Sequence, residues 1–512
     1  MKYGRFFSVG LLGLLALIIG CNSMQTSSAI LRYQQSEFEI AESLCVEALE
    51  LNPEDGEAYF YMALSQSMLE DYRSAYDNFR KAAELKPERA EQAETNIQSN
   101  WTKVFNEGIS YTNDENYEMA EEFFTQATEA NPEEARGYSN LARAYLLKAE
   151  KFKKIDQFEY QGLLQQGLEN LDIALDLETE PEAQEETAKM LCSVLANLYV
   201  IPGQEDVERE PYLTRYREVT AELPDVYSTH EIFGLKLYDV AAEKNQQSFF
   251  PFAGQALSEA ATIRERKFKE AEAIGDIEAM DEHMSIEAPK YAGLAFMAAE
   301  LYPEATVNFT KALDLNATDS ELWYYKEFCE YKSGDLDAAI ASAKMLEETF
   351  ETTDAKVFQI MANAYKDKAV AADEGGDKQG FLDNRTFYED AFRAYATYKG
   401  LADDTPPLLM SIEEQAEEER RANALYEKDD VAIITADLDG RFVKGILLNK
   451  REDPIDFIEL SIDLLDEMGE IIDNAFAEFE LVEAGQEIEF SAFFVAEPEE
   501  VAGFEVTDLT IE

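Results

Sequence analysis

Between residues 29 and 180, and again from 291 onward, apolar residues recur at i, i+3, i+4 and i+7, the period of amphipathic helices. A longer cycle lies over that period. Pro53 and Pro87 stand 34 residues apart, and Ala41 and Ala48 before the first match Ala75 and Ala82 before the second. The same frame fits ahead of Pro132, where Ala120, Phe124 and Ala127 recur. Within one cycle Tyr59, Met62, Ala63 and Gln66 mark a first helix, Glu70-Asp71-Tyr72 a turn, and Ala75, Phe79 and Ala82 a second helix. Small alanines let paired helices approach closely, the aromatic fills the gap beside them, and proline stops the second helix. Later cycles run through Gly293, Phe296, Tyr302, Ala305, Phe309 and Ala312, then Trp323, Gly334 and Ala339, the last 34 residues beyond Ala305.

Residue type and spacing together are similar to the tetratricopeptide-repeat (TPR) family. A first unit covers roughly 29–53 with Phe38, Ala41 and Ala48. A third shows Gly108, Tyr111 and Tyr117. A fourth opens with Tyr138, Leu141, Ala142 and Tyr145, and its first helix runs on through an insertion at 148–154 before Leu171, Ala174 and Leu175 resume the pattern. A degenerate last unit pairs 354–370 with 386–400 around Asp373-Glu374-Gly375-Gly376-Asp377, and a long polar helix at 411–428 caps or leaves the array. Between about 185 and 290, Pro202, Pro211, Pro224 and Pro251 interrupt the period, and TPR-like helix pairs are expected there. Stacked pairs with a fixed rotation make a superhelix whose first helices line a groove. The resemblance implies that Phe60, Leu64, Met68, Phe105, Ile109, Arg136, Arg143 and Leu146 contact extended segments of partner proteins. The apolar members would each supply about 1.5–3 kcal/mol on full burial; packing against a neighbouring repeat is the alternative. Arg136 and Arg143, seven apart on one helix face, suit a partner carboxylate.

Around Asp429 the period drops to two. Ile458-Glu459-Leu460-Ser461-Ile462-Asp463-Leu464 alternates strictly, Asp466-Glu467-Met468-Gly469 is a turn, and Glu487-Ile488-Glu489-Phe490-Ser491-Ala492 alternates again. With 431–438, 441–449, 501–511 and a strand starting at Ile471, about six strands form a small antiparallel sandwich. Gly445-Ile446-Leu447-Leu448-Asn449 followed by Ile462-Asp463-Leu464-Leu465-Asp466 resembles the FxLYD domain of exported bacterial proteins, with Ile462 and Leu465 in place of its Phe and Tyr. That resemblance implies an immunoglobulin-like shape and no activity. The fold class is therefore mainly α: a TPR-type solenoid followed by a small antiparallel β-sandwich.

Composition narrows the partners. Hydrophobic residues at 46% and aromatics at 12% make a folded chain, and 106 acidic against 44 basic residues give a formal net charge of −62. Such a surface repels phosphate backbones over a Debye length of about 8 Å, which argues against nucleic acid. The acid excess fits either a salty habitat or a soluble acidic exported protein. At the other extreme, Lys2 and Arg5 precede an apolar run at 9–20, and no Asp or Glu occurs before Glu37. The run is too short to need reading as a spanning helix. It ends at Ile18-Ile19-Gly20-Cys21, which resembles the lipobox of bacterial lipoproteins. The resemblance implies cleavage after Gly20 and acylation of Cys21, with an uncleaved anchor as the alternative. Asn22 at the second mature position favours the outer membrane in a two-membrane cell. The organisation read from the chain is a leader at 1–20, a polar tether at 21–28, a TPR array at 29–180, an irregular helical region at 181–290, a second array with its capping helix at 291–428, and the sandwich at 429–512.

Chemistry is sparse. The two histidines, His230 and His283, stand near no nucleophile motif and at no ligand spacing, and phosphate-cradling glycine loops are lacking. Cys45, Cys192 and Cys329 sit singly in helical patterns, as small buried residues do, with a disulfide that leaves one thiol over as the alternative. Asp373 to Asp377 lack the ligand spacing of a calcium loop. No metal, cofactor or catalytic residue is expected. Basic islands at Arg143, Lys148, Lys151, Lys153 and Lys154, and at Arg264, Arg266, Lys267 and Lys269, are solvated faces or patches for acidic peptides and lipid headgroups. These features describe a lipid-anchored scaffold of the cell envelope that binds other envelope proteins or peptides. The alternative is a surface-exposed ligand-binding lipoprotein using the sandwich, with outward Phe493 as its mark. If Cys21 is the acylation site, Cys21→Ser should abolish incorporation of labelled fatty acid and leave an uncleaved precursor on a gel; continued labelling at the N-terminus would refute it.

Overall fold

The computed structural model describes residues 23–512, and the leader and Cys21 lie outside the described residues. Two compact units follow one another, with the boundary between Ser333 and Gly334.

The first unit is a run of antiparallel helix pairs. Its helices are α1 (Met24–Gln34) and α2 (Phe38–Leu51), α3 (Gly56–Met68) and α4 (Tyr72–Leu85), α5 (Ala90–Asn113) and α6 (Tyr117–Ala130), and α7 (Ala135–Phe152) and α8 (Gln157–Leu177). After them come α9 (Pro181–Tyr199), α10 (Asp206–Glu222), α11 (Tyr227–Lys244), α12 (Phe250–Ile274), α13 (Ile277–His283), α14 (Glu287–Ala298), α15 (Tyr302–Leu315) and α16 (Ser320–Ser333). Side chains of Asp55, Asp71, Asn116, Asp156 and Asp276 accept backbone N–H bonds at helix starts, satisfying donors that the helix leaves orphaned. Ser36, Glu70, Glu115 and Glu300 make the turns inside the pairs, each at a φ near +60° that L-residues adopt at a cost of about 1–2 kcal/mol. The repeated alanines, Ala41, Ala48, Ala75, Ala82, Ala120, Ala127, Ala305 and Ala312, are fully buried, as a TPR-like helical repeat requires.

The prolines that break the period explain the middle of this unit. Pro181 and Pro251 occupy first-turn positions where no N–H is needed, while Pro211 lies early in α10. Helices continue throughout, so the interruption changes spacing and leaves secondary structure intact. The insertion expected at 148–154 lengthens α7 to Phe152, and α8 then begins at Gln157. All three cysteines in the described residues are buried and free, and burial pushes each thiol up to about 12.

The second unit opens with α17 (Leu336–Phe350), α18 (Ala355–Glu374), α19 (Lys378–Lys399) and α20 (Ile412–Ala422). The Gly- and Asp-rich stretch is a tight turn between two long helices: Gly376 takes φ +77°, Asp377 caps the N–H of Gly380, and Asp373 accepts from the N–H of Ile412. The polar helix expected at 411–428 ends at Ala422, because Leu425 already pairs its N–H with the Ile433 carbonyl. Strands β1 (Tyr426–Lys428), β2 (Val431–Asp439), β3 (Phe442–Asn449), β4 (Ile455–Leu465), β5 (Ile471–Val482), β6 (Glu487–Phe493) and β7 (Gly503–Ile511) follow. They form one antiparallel sheet in the order β1-β2-β3-β6-β5-β4-β7, one strand more than the alternation gave. The sheet curls into a nearly closed barrel or sandwich, and Lys428 on β1 reaches Asp508 on β7 at 2.6 Å. Ile433, Leu447, Ile458, Leu460, Ile462, Phe479 and Phe490 fill its interior. Buried Asn449 donates to the carbonyls of Asp453 and Val482, both at 3.1 Å, tying the strand ends together.

Gly293 shows how tight the helix packing is: a Cβ there would stand 2.6 Å from the ring of fully buried Phe309. Alanine normally gains about 1 kcal/mol over glycine inside a helix. Gly293→Ala should instead lower stability by about 1–3 kcal/mol, because the ring must move in a filled core. A melt followed by circular dichroism measures it, and a raised melting temperature would show that the ring has room.

Candidate functional site

Helices α3, α5 and α7 are the first helices of consecutive pairs and form the candidate partner-binding face. Their alignment has polar causes as well as apolar ones. Asn100 on α5 donates to the Ser67 hydroxyl on α3 at 2.8 Å. Glu57, at the start of α3, is 6% exposed and receives Lys86 at 2.5 Å and the Arg89 guanidinium, both from the chain entering α5. Burial raises the Glu57 carboxyl, but the hydrogen bonds and charges of Arg89 and Lys86 outweigh it and hold the group below its ordinary value. The same guanidinium lies 4.6 Å over the Phe60 ring.

The sequence-derived contact residues divide on this frame. Phe60 is a correction: it is 4% exposed, meets Phe79 edge-on at 5.6 Å and belongs to the core between pairs, so it offers a partner almost nothing. Phe105 is half-buried, stacked on Trp101 at 4.4 Å and tilted against Phe124. Leu64, Ile109 and Leu146 are half-buried too, each with an edge in solvent. Met68 is open at 54% exposure. Arg136 is exposed, bonded to Glu134 at 2.6 Å and laid 4.6 Å over the Trp101 ring. Arg143 is exposed on the same helix, and no ion pair holds it among the described residues. Along α5, Glu94, Gln98, Ser99, Thr102 and Lys103 line an open hollow of about 860 Å³. The face is thus polar with isolated apolar edges, suited to reading a segment by hydrogen bonds and a few side-chain contacts.

Both basic islands are largely spent on local pairs. Lys148 meets Glu121, Lys153 meets Glu150, Arg264 meets Glu231, Arg266 meets Asp225 and Lys269 meets Glu265. Arg143, Lys151, Lys154 and Lys267 have no ion pair among the described residues, and of these Lys151 and Lys267 lie over the rings of Tyr117 and Tyr227.

Three features escaped the sequence reading. Trp101, one of only two tryptophans, is the platform under Arg136 and Phe105, and its buried indole N–H has no partner among the described residues. His230 is buried and takes its Nδ1 bond from the Tyr216 hydroxyl at 2.6 Å. On the barrel, Phe442 and Phe476 flank Phe493 on adjacent strands, with Phe442 and Phe493 rings 5.4 Å apart and all three exposed. The alternation marks Phe493 alone as outward, and the cross-strand register that sets Phe442 and Phe476 beside it is not visible in the chain.

The Glu57 cluster carries a pH signature. A carboxyl depressed by folding contributes its full stability above its unfolded value of about 4.3, and that contribution is lost as pH falls through the folded-state value. Glu57→Gln should cost about 1–3 kcal/mol at neutral pH. Its melting temperature should then fall less than the parent's between about pH 6 and pH 3. Parallel curves would show that the cluster is indifferent to acid.

No protein-family model matches the chain, and no curated protein matches it in sequence. Similar solved structures include the C-terminal part of a TPR repeat-containing protein from Cytophaga hutchinsonii, 13% identical, covering 58% of this chain and 96% of that one with a TM-score of 0.29. A MamA protein is 16% identical over 43% of this chain and 94% of its own, at a TM-score of 0.26. A thermophilic TPR protein of Thermus thermophilus is 15% identical over 60% of this chain and 98% of its own, at 0.18. The TPR-like character of this chain rests on its own buried alanines, ring positions and turns.

Proposed function

We propose that the protein is a lipid-anchored extracytoplasmic scaffold that binds partner proteins along α3, α5 and α7. The observation that carries this reading is what α7 and α3 leave open: on α7, Lys148 is paired with Glu121 and Arg136 with Glu134, whereas Arg143 has no ion pair among the described residues and stands beside half-buried Leu146, and Met68 is open on α3. An extended segment with an acidic and an apolar residue fits that combination. Lipidation at Cys21 rests on the lipobox resemblance, and it would hold the face close to a membrane where partners are concentrated.

A second reading has its own observation. The exposed row Phe442, Phe493 and Phe476 on three neighbouring strands presents flat aromatic faces to solvent, as a sheet that holds a glycan or peptide does.

A photo-crosslinking side chain placed at 68, 143, 122 or 493 of the full chain, in intact cells, separates the two. Adducts at 68 and 143, absent at exposed Glu122 on α6, are expected. Arg143→Glu should reduce the yield at 68 by about fivefold, the ~1 kcal/mol of a surface ion pair. Adducts confined to 493 would overturn the first reading and support the second.

A further inference from the structure

Where the prolines break the 34-residue period, α10 and α12 part above α11 and leave a cavity of about 450 Å³. Leu213, Phe233, Phe252, Ala256 and Ile263 give it apolar walls. Volumes of roughly 300–1,000 Å³ are those of small-molecule sites, which join an apolar lining to a few placed polar groups. Here the placed group is His230, 8% exposed and lining the cavity.

The hydrogen bonding of that histidine fixes what it offers. The buried Tyr216 hydroxyl has one partner among the described residues, His230 Nδ1 at 2.6 Å, and its ring stacks on Phe233 at 3.9 Å. A buried hydroxyl proton left without an acceptor costs about 1–3 kcal/mol, so Tyr216 donates and Nδ1 accepts. The neutral imidazole then carries its hydrogen on Nε2, for which the described residues provide no acceptor. Burial lowers the imidazolium to about 4, which keeps the ring neutral at physiological pH. Thr220 and Thr262 donate to carbonyls of their own helices, and the other lining donors, Gln255, Arg217 and Arg266, are exposed, leaving Nε2–H as the donor on the sheltered side.

The mouth discriminates by charge. Arg266 is paired with Asp225 at 2.5 Å and Arg217 with Glu210 at 3.4 Å, while exposed Glu259 has no counter-ion among the described residues. An anion entering a chain of net charge −62 past Glu259 is repelled, and because exposed Glu259 at the mouth is the only carboxylate of the lining, the apolar interior beyond it offers a cation no counter-charge.

We propose that this cavity binds a small uncharged apolar molecule bearing one hydrogen-bond-accepting oxygen, such as an aryl ketone, through the His230 Nε2–H. The site lies apart from the first-helix face and does not depend on it.

The probe is 6-propionyl-2-(dimethylamino)naphthalene, whose emission reports polarity and hydrogen bonding at its carbonyl, titrated into the full chain. Saturable binding of one probe per chain with blue-shifted emission is expected. Ala256→Trp, which fills the cavity, should abolish it while the circular dichroism melt is kept; Thr220→Trp serves if that variant does not fold. His230→Leu should weaken the ketone about tenfold and leave 2-(dimethylamino)naphthalene, which lacks the carbonyl, unchanged. No saturable binding, equal binding by a folded cavity-filled variant, or an undiminished ketone preference in His230→Leu would each overturn the proposal.

Discussion

Close approach of a small residue to an aromatic ring is the contact on which the helical array depends. Gly108 faces Phe124, Gly293 faces Phe309 and Gly254 faces Phe296, each at a distance that a single Cβ would violate. One helix pair cannot bury its own apolar face, so the ring of one helix must enter the notch of another. The first two contacts join helices within a pair; the third carries the stacking from α12 to α14. Cores packed to this density tolerate little volume change in either direction. The alanines beside these notches are fully buried for the same reason.

That demand decides which side chains are left for partners. Phe60 satisfies the spacing for a groove contact, yet the core that α3 and α4 share with the start of α5 needs a ring there, and Phe79 and Arg89 close over it. Trp101 is consumed in the same way and becomes a platform that holds Phe105 and Arg136 in fixed orientations. What reaches solvent is the remainder: the tip of Met68, the edges of Leu64, Ile109 and Leu146, and two guanidinium groups. Phe105 and Arg136, held on Trp101, would meet a partner already ordered, which would reduce the entropy lost on binding.

The fold was legible where one residue type had to recur. Alanine pairs 34 apart, followed by proline, have few explanations besides stacked helix pairs, and the strict alternation of Ile458 to Leu464 has one. The candidate site was half legible. Spacing assigns a residue to a helix face but does not say how deep its side chain lies, and depth separates buried Phe60 from exposed Met68. Strand register was hidden as well: Phe442, Phe476 and Phe493 are far apart in the chain and meet only because β6 lies between β3 and β5. The helix at 411–428 was overread because its charge pattern fades gradually, whereas the pairing of Leu425 with Ile433 that ends it is non-local.

The irregular stretch follows from the same packing rule. Regular repeats keep successive helices one notch apart, and the prolines at 202, 211 and 224 alter the lengths around α10 so that it no longer meets α12 along its face. A void lined only by carbon would be costly at roughly 20 cal/mol per Å² of its surface, and elsewhere the array closes such gaps with alanine and phenylalanine. Here a tyrosine–histidine pair stands in the wall, with the hydrogen bond between its members turned inward and one donor left over. A donor that faces the cavity and has no acceptor among the described residues is free to bond an acceptor that enters. Loss of the repeat pattern in this stretch is thus coupled to a place in the first unit where buried polar chemistry faces open space.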